Sequence, residues 1–244
     1  MRNHLPFINL YSDKSLKSKL DTQILYGETF KIIKKNKKIC KIKNKLDGYK
    51  GFIKLRKFPN NQNTTHKVCN LICKLYLKPN LNYETSKKIT FGSRVKVLGE
   101  KKQFYKVDNF WVKKSDIKKN NYKTKDIFQG VKKFLGVKYK WGGKHFSGVD
   151  CSALIQLFFH FNNKYCPRDS MDQLKYFKKN ITLKNIKKND LIFWKGHVAL
   201  AISKKKLIHA YGPFKKVVIM SINRTIDRIQ KTAKLKVIGI KRIT

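Results

Sequence analysis

Acidic side chains are scarce in this chain. Asp and Glu together number 14 of 244 residues, against 58 Lys or Arg, for a formal charge of +44. Such a balance raises nucleic acid or an anionic surface as a partner. Arginine is scarce too, confined to Arg2, Arg56, Arg94, Arg168, Arg224, Arg228 and Arg242, and the lysines are dispersed among Asn and Ile. No basic helix with base-reading geometry stands out, so the charge reads as compositional bias and nucleic acid is not expected as a partner. Long apolar runs are missing, which excludes a helical membrane span of about 20 residues. The opening "MRNHLPFINL" lacks the apolar core and small-residue cleavage site of a signal peptide, so a soluble, cytoplasmic protein is expected. Cysteines number five, an odd count that argues for reduced thiols over a disulfide framework. A fourth ligand is missing beside His66, Cys69 and Cys73, so neither a metal nor another cofactor is expected. Cys40, in a repeat strand, and Cys166, before Pro167, read as structural thiols.

An internal repeat is present, at an offset of 65 residues. "ILYGETFKIIKK" (24–35) lies over "ITFGSRVKVLGE" (89–100), "ICKIKN" (39–44) over "FYKVDN" (104–109), and "GFIK" (51–54) over "FWVK" (110–113) once the six residues "KLDGYK" are left out of the second copy. Alternating apolar residues and turn glycines predict two small antiparallel barrels, 1–62 and 63–120.

After Asn121 the period changes. "TKDIFQGVKKFLG" predicts a helix with Ile127, Val131, Phe134 and Leu135 on one face and Gly136 as its stop. A second helix begins at Cys151 and ends at Asn162–Asn163, and a third follows "PRDS" with Met171, Leu174 and Phe177 inward. From Asp190 the strands "DLIFW", "HVALAIS", "KLIHAYG", "VVIMSI" and "LKVIGIKRI" follow, giving an α+β domain over 121–244 with helices packed on one antiparallel sheet.

Chemistry concentrates around Cys151. At a helix start, free N–H groups and the positive end of the dipole favour a thiolate. A reactive thiol needs a base, and His197 and His209 sit on strands spaced to be antiparallel neighbours. One imidazole would take the thiol proton while the other fixes its tautomer. His145, on the same local segment as Cys151, is a poorer base, His160 reads as a helix-face residue, and His4 as a solvated terminal one.

"YKWGG", "GVDCSALIQ", "CPRDSMDQ", "NDLIFWKGHVALAI" and "LIHAYG" together resemble the NlpC-type cysteine peptidases of bacterial cell-wall metabolism, and the two N-terminal repeats resemble the paired SH3-like barrels of its γ-D-glutamyl-L-diamino acid dipeptidyl-peptidase branch. The resemblance implies a papain-like α+β catalytic domain behind two SH3-like β-barrels. It also implies hydrolysis of the γ-D-glutamyl bond to L-Lys or meso-diaminopimelate in a muropeptide substrate with a free L-Ala amine, as in wall-peptide recycling. Carried over by position, Cys151 is the nucleophile, His197 the base and His209 its orienter. Tyr139, Trp141, Asp150, Ser152, Arg168, Asp169 and Ser170 match positions lining the substrate subsites, with Asp169 anchoring the amine. Glu28 and Tyr49 are the first barrel's expected contributions to the amine pocket. Ala153 stands where the family usually has glycine. Two rivals are an inert binding module for wall fragments and an acyltransferase or amidase on the same thiol fold. The sequence sets neither the diamino acid nor the oligomeric state.

Overall fold

The computed structural model describes residues 1–60 and 63–243, so residues 61 and 62, on which the expected boundary between the repeats falls, lie outside it. Apolar residues at every second position build the first sheet from β1 (Phe7–Tyr11), β2 (Leu20–Leu25), β3 (Phe30–Lys35), β4 (Ile39–Asn44) and β5 (Lys50–Lys54). Their order is β2-β1-β5-β4-β3, every pairing antiparallel. Leu10, Ile24, Phe30, Cys40, Ile42 and Ile53 fill its core.

The second copy runs through β6 (His66–Val68), β7 (Ile72–Tyr76), β8 (Glu84–Thr90), β9 (Arg94–Val95), β10 (Val97–Lys101), β11 (Phe104–Val107), β12 (Phe110–Lys113) and β13 (Ile117–Lys119). These form a five-stranded sheet, β10-β11-β12-β7-β8, and a three-stranded one, β13-β6-β9. Two ties hold this unit on the C-terminal part. Phe91 packs among Phe134, Phe158 and Phe161, its ring 4.7 Å from that of Phe161. The fully buried Lys67 ammonium donates to the carbonyls of Asn120 (2.9 Å), Tyr122 (2.6 Å) and Phe161 (2.5 Å), and burial lowers it to about 8.

The C-terminal part opens with β14 (Lys144–His145) and β15 (Gly148–Val149), then α1 (Cys151–Phe161) and α2 (Ser170–Tyr176). A six-stranded antiparallel sheet of order β16-β21-β17-β18-β19-β20 follows, with β16 (Lys179–Asn180), β17 (Leu191–Trp194), β18 (His197–Ala201), β19 (Lys206–Tyr211), β20 (Lys216–Ser221) and β21 (Gly239–Arg242). Helix α3 (Ile222–Ala233) lies between the last two. The fold is therefore mixed α/β with antiparallel sheets. Helix α1 is buried along its whole length, between the sheet and the N-terminal units.

Three expectations change. The helix predicted over 124–136 is only a 3-10 turn, Val131–Phe134, because Gly130 takes a left-handed φ of 83° at its start; Leu135 is exposed while Ile127 packs on the core. Met171 faces outward on α2, leaving Leu174 and Phe177 to make the core contact. Helix α3 was not anticipated; it buries Ile222, Thr225 and Ile229 at helical spacing. Among the described residues no helix is long and apolar enough to cross a membrane.

Candidate active site

The segment before Cys151 is shaped by close backbone approach. A Cβ at Gly142, where φ is 71°, would stand 2.4 Å from the Leu20 carbonyl oxygen, and one at Gly143 would stand 2.4 Å from that of Gly148. The two glycines of "YKWGG" thus let this loop press against β2 of the first sheet while folding back on itself.

Asp150 caps α1. Its Oδ1 accepts from the Ala153 N–H (2.8 Å) and its Oδ2 from the Gly142 N–H (2.9 Å). Arg168 closes on the same carboxylate with two nitrogens, at 3.0 and 2.5 Å, and donates to Ser152 Oγ (2.9 Å) and to Thr22 Oγ1 of the first sheet (2.7 Å). All the expected residues Asp150, Ser152 and Arg168 are buried. The Asp150 charge is spent on the helix start and the guanidinium, fixing where α1, and hence Cys151, begins.

Cys151 is 6% exposed. Burial pushes its thiol up to about 12, Asp150 adds to the rise, and hydrogen bonding to the Val198 backbone together with the Arg168 charge opposes it. Desolvation thus works against the thiolate expected at the helix start. His197 and His209 occupy β18 and β19, neighbours paired at Leu200 with Ile208 and Ala201 with Leu207. Their rings meet, His197 Nε2 to His209 Nδ1, at 2.9 Å. Burial lowers His197 to about 4; burial and the His197 charge lower His209 to about 2. Burial therefore favours the neutral forms of the thiol and of both imidazoles.

Cys151 opens into a pocket of about 270 Å³. Tyr139 and Trp141 line it from the glycine loop, Asp169, Ser170 and Met171 from the start of α2, and Gly196 from the turn before His197. Asp21 of β2 and Tyr49, in the loop just before β5, line it from the first unit. Asp21 and Asp169 are both held above the usual carboxylate range, chiefly by burial and then by like-charge neighbours, including Asp169 on Asp21, while Arg168 pulls each down. Tyr49 is itself raised, by burial and then by the two carboxylates. Two carboxylates and a phenol around one small space suit a cation.

Glu28 does not line this pocket. Its carboxylate pairs with Lys144 of β14 at 3.1 Å, with side-chain exposures of 3% and 0%, and also accepts from the Leu25 N–H at 3.1 Å. Lys144 was drawn to it because a buried ammonium needs a counter-charge. The acid that the first sheet sends to the pocket is Asp21, which sequence reasoning missed; its only signal was being one of few acids in a lysine-rich chain. Among the described residues no cluster of His, Cys, Asp and Glu has the makings of a metal site.

Residues 136–233 match the sequence profile of the NlpC/P60 family. This part of the chain is an NlpC/P60 domain. Its relatives include the gamma-D-glutamyl-L-lysine dipeptidyl-peptidase of Bacillus subtilis, 29% identical over 160 residues, which cover 59% of this chain and 54% of that protein. The enzyme of the same name from Bacillus cereus is 27% identical over 241 residues, covering 84% of this chain and 72% of that one. The chain thus spans between about half and three quarters of the length of these two relatives. A crystal structure of an NlpC/P60 family protein from Bacillus cereus superposes with a TM-score of 0.83 at 22% identity, covering 99% of this chain and 98% of that one. The N-terminal units are therefore part of an arrangement that recurs in a solved NlpC/P60 fold.

Proposed function

We propose that the protein is a cysteine peptidase that hydrolyses the γ-D-glutamyl bond to an L-diamino acid in muropeptides bearing a free N-terminal L-Ala, releasing L-Ala-γ-D-Glu. Such peptides, already cut from the glycan, are substrates of peptidoglycan recycling. The N-terminal units are read as SH3-like barrels, the first of which completes the substrate pocket. One observation carries the proposal: the Cys151 thiol opens into a pocket lined also by Asp21, Asp169, Tyr49 and Gly196, and Gly196 immediately precedes His197 of the hydrogen-bonded histidine pair. The peptide's ammonium would meet the carboxylates, which places the acyl group two residues along at the sulfur. Asp169 keeps the role of amine anchor, with Asp21 replacing Glu28 as its partner.

In the reaction, His197 Nδ1 takes the Cys151 proton as the sulfur attacks the γ-carbonyl carbon. N–H groups at the start of α1 stabilise the oxyanion. The imidazolium then returns the proton to the leaving diamino acid nitrogen, and water, activated by the same imidazole, releases the acyl group.

The test is mass spectrometry of L-Ala-γ-D-Glu-L-Lys and L-Ala-γ-D-Glu-meso-diaminopimelate with wild type and Cys151→Ala, beside the N-acetylated peptides. Release of L-Ala-γ-D-Glu by wild type alone, from free-amine peptides alone, is expected. Cleavage of the acetylated peptides at equal rate would discard the amine pocket, and no cleavage at all would discard the peptidase.

A further inference from the structure

The histidine pair does not end at His209. His209 Nε2 lies 3.4 Å from Met220 Sδ on β20, within hydrogen-bond range for sulfur. The strand register explains why: β19 pairs with β20 with His209 opposite Val218, and Met220 is two residues farther along on the same face. His209 is 1% exposed and its ring stacks on Tyr211 at 4.7 Å and 10°, so it has little freedom to turn.

A thioether sulfur has no proton to give and is an acceptor only. A contact between an imidazole nitrogen and that sulfur therefore has one sense: His209 Nε2 carries the hydrogen and donates it. A neutral imidazole holds one N–H, so His209 Nδ1 is a lone pair. The 2.9 Å contact with His197 Nε2 is then also fixed in sense, with His197 Nε2–H donating to His209 Nδ1. By the same count, His197 Nδ1 is left as a lone pair, the state a base for the Cys151 thiol requires. Reversing any one link reverses all of them and puts a hydrogen on His197 Nδ1.

We propose that Met220 is a positioning residue that sets the tautomer of the active-site histidines through a one-way chain, Met220 Sδ to His209 to His197, leaving His197 Nδ1 free to accept the thiol proton. This rests on the reading of Cys151 and His197 as nucleophile and base. The sulfur acts through polarity of hydrogen bonding, with no charge of its own. A carboxylate in its place would impose the same sense, whereas an ammonium would impose the opposite one. Met220 is only half-buried, so a longer polar side chain at this position has access to solvent.

The experiment compares Met220→Glu, Met220→Lys and Met220→Leu in the full-length protein. Nitrogen-15 correlation spectra of labelled histidine report which ring nitrogen carries hydrogen, without any substrate. Wild type and Met220→Glu are expected to show the Nε2–H form at both His209 and His197. Met220→Lys is expected to shift both to Nδ1–H. The rate of peptide cleavage should follow: Met220→Glu within about threefold of wild type, and Met220→Lys reduced by about 100-fold or more, the scale of lost general-base catalysis. Met220→Leu, nearly the same volume without an acceptor, should give a mixture of tautomers and an intermediate rate with its melting temperature close to wild type. A purely structural role would instead lower rate in step with melting temperature. Nδ1–H tautomers in the wild type, or unchanged tautomers in Met220→Lys, would overturn the proposal. If wild type shows the expected tautomers and cleaves no γ-glutamyl peptide, the fault lies in the substrate reading and not in the chain.

Discussion

Replacing Asp169 with Asn should trade activity for stability, and the structure sets both signs. The carboxylate is held above its ordinary range chiefly by burial and then by Asp172 and Asp150, so the folded protein disfavours its ionised form. For an acid whose folded pKa is raised, the contribution to stability is fully present below the unfolded pKa and is lost as pH rises through the folded one. Asp169→Asn should therefore raise the melting temperature at pH 7, by about 2–4 °C for each kcal/mol relieved in a chain of this size. The gain should vanish in acid, where wild type is protonated too. If Asp169 anchors the amine as proposed, the same change would remove one charge-assisted hydrogen bond to the substrate ammonium, about 1.5–3 kcal/mol. That corresponds to roughly a 10- to 150-fold loss of kcat/KM on L-Ala-γ-D-Glu-L-Lys. Asp21→Asn should do likewise, and the double variant should lose less than the product, since both carboxylates act on one ammonium. Steady-state kinetics on the free-amine and N-acetylated peptides, with thermal melts from pH 4 to 8, measure all of this. Equal losses on the two peptides, or a lower melting temperature at pH 7, would refute the reasoning.

Two further outcomes follow from the site. Because Cys151 lies up near 12 and His197 down near 4, alkylation of the free enzyme by iodoacetamide should keep rising with pH between 6 and 9; a plateau above pH 5 would mean a preformed thiolate–imidazolium pair. Lys144→Met strands Glu28 in the interior and should cost about 3–5 kcal/mol by denaturant titration, while the double variant Lys144→Met with Glu28→Gln should recover most of it; a single variant as stable as wild type would contradict the burial of this pair.

Local patterns were legible where one element decided them. The 65-residue repeat announced two β units, the apolar run after Cys151 announced α1, and the strands "HVALAIS" and "KLIHAYG" brought His197 and His209 together as spaced. Helix α3 was hidden because its three buried residues are spread through a polar, lysine- and arginine-bearing stretch between two apolar strands. The helix at 124–136 failed on one residue, Gly130, whose period fitted a helix while its backbone took the left-handed region. Glu28 and Asp21 were harder still. Both are acids of the first unit, and what separates them is the partner each meets across the chain: Lys144 for Glu28, and the open pocket beside Asp169 for Asp21. Met220 was invisible for the same reason, since a methionine in an apolar strand gives no sign that its sulfur faces a histidine.

The pocket is assembled from two parts of the chain that fold as different elements, with Asp21 and Tyr49 on one side of the cleft and Cys151 and Asp169 on the other. On the proposed reading, bond breaking and the choice of which bond to break come from separate stretches of sequence. If the pocket holds the proposed peptide, a shifted loop at Tyr49 or a different acid at position 21 should alter which peptides are admitted, since both residues line it away from the histidines. On the proposed reading the N-terminal unit is a gauge mounted on a cutting edge, and because Thr22 and Leu20 also brace Arg168 and the glycine loop, the gauge is at the same time part of the mount.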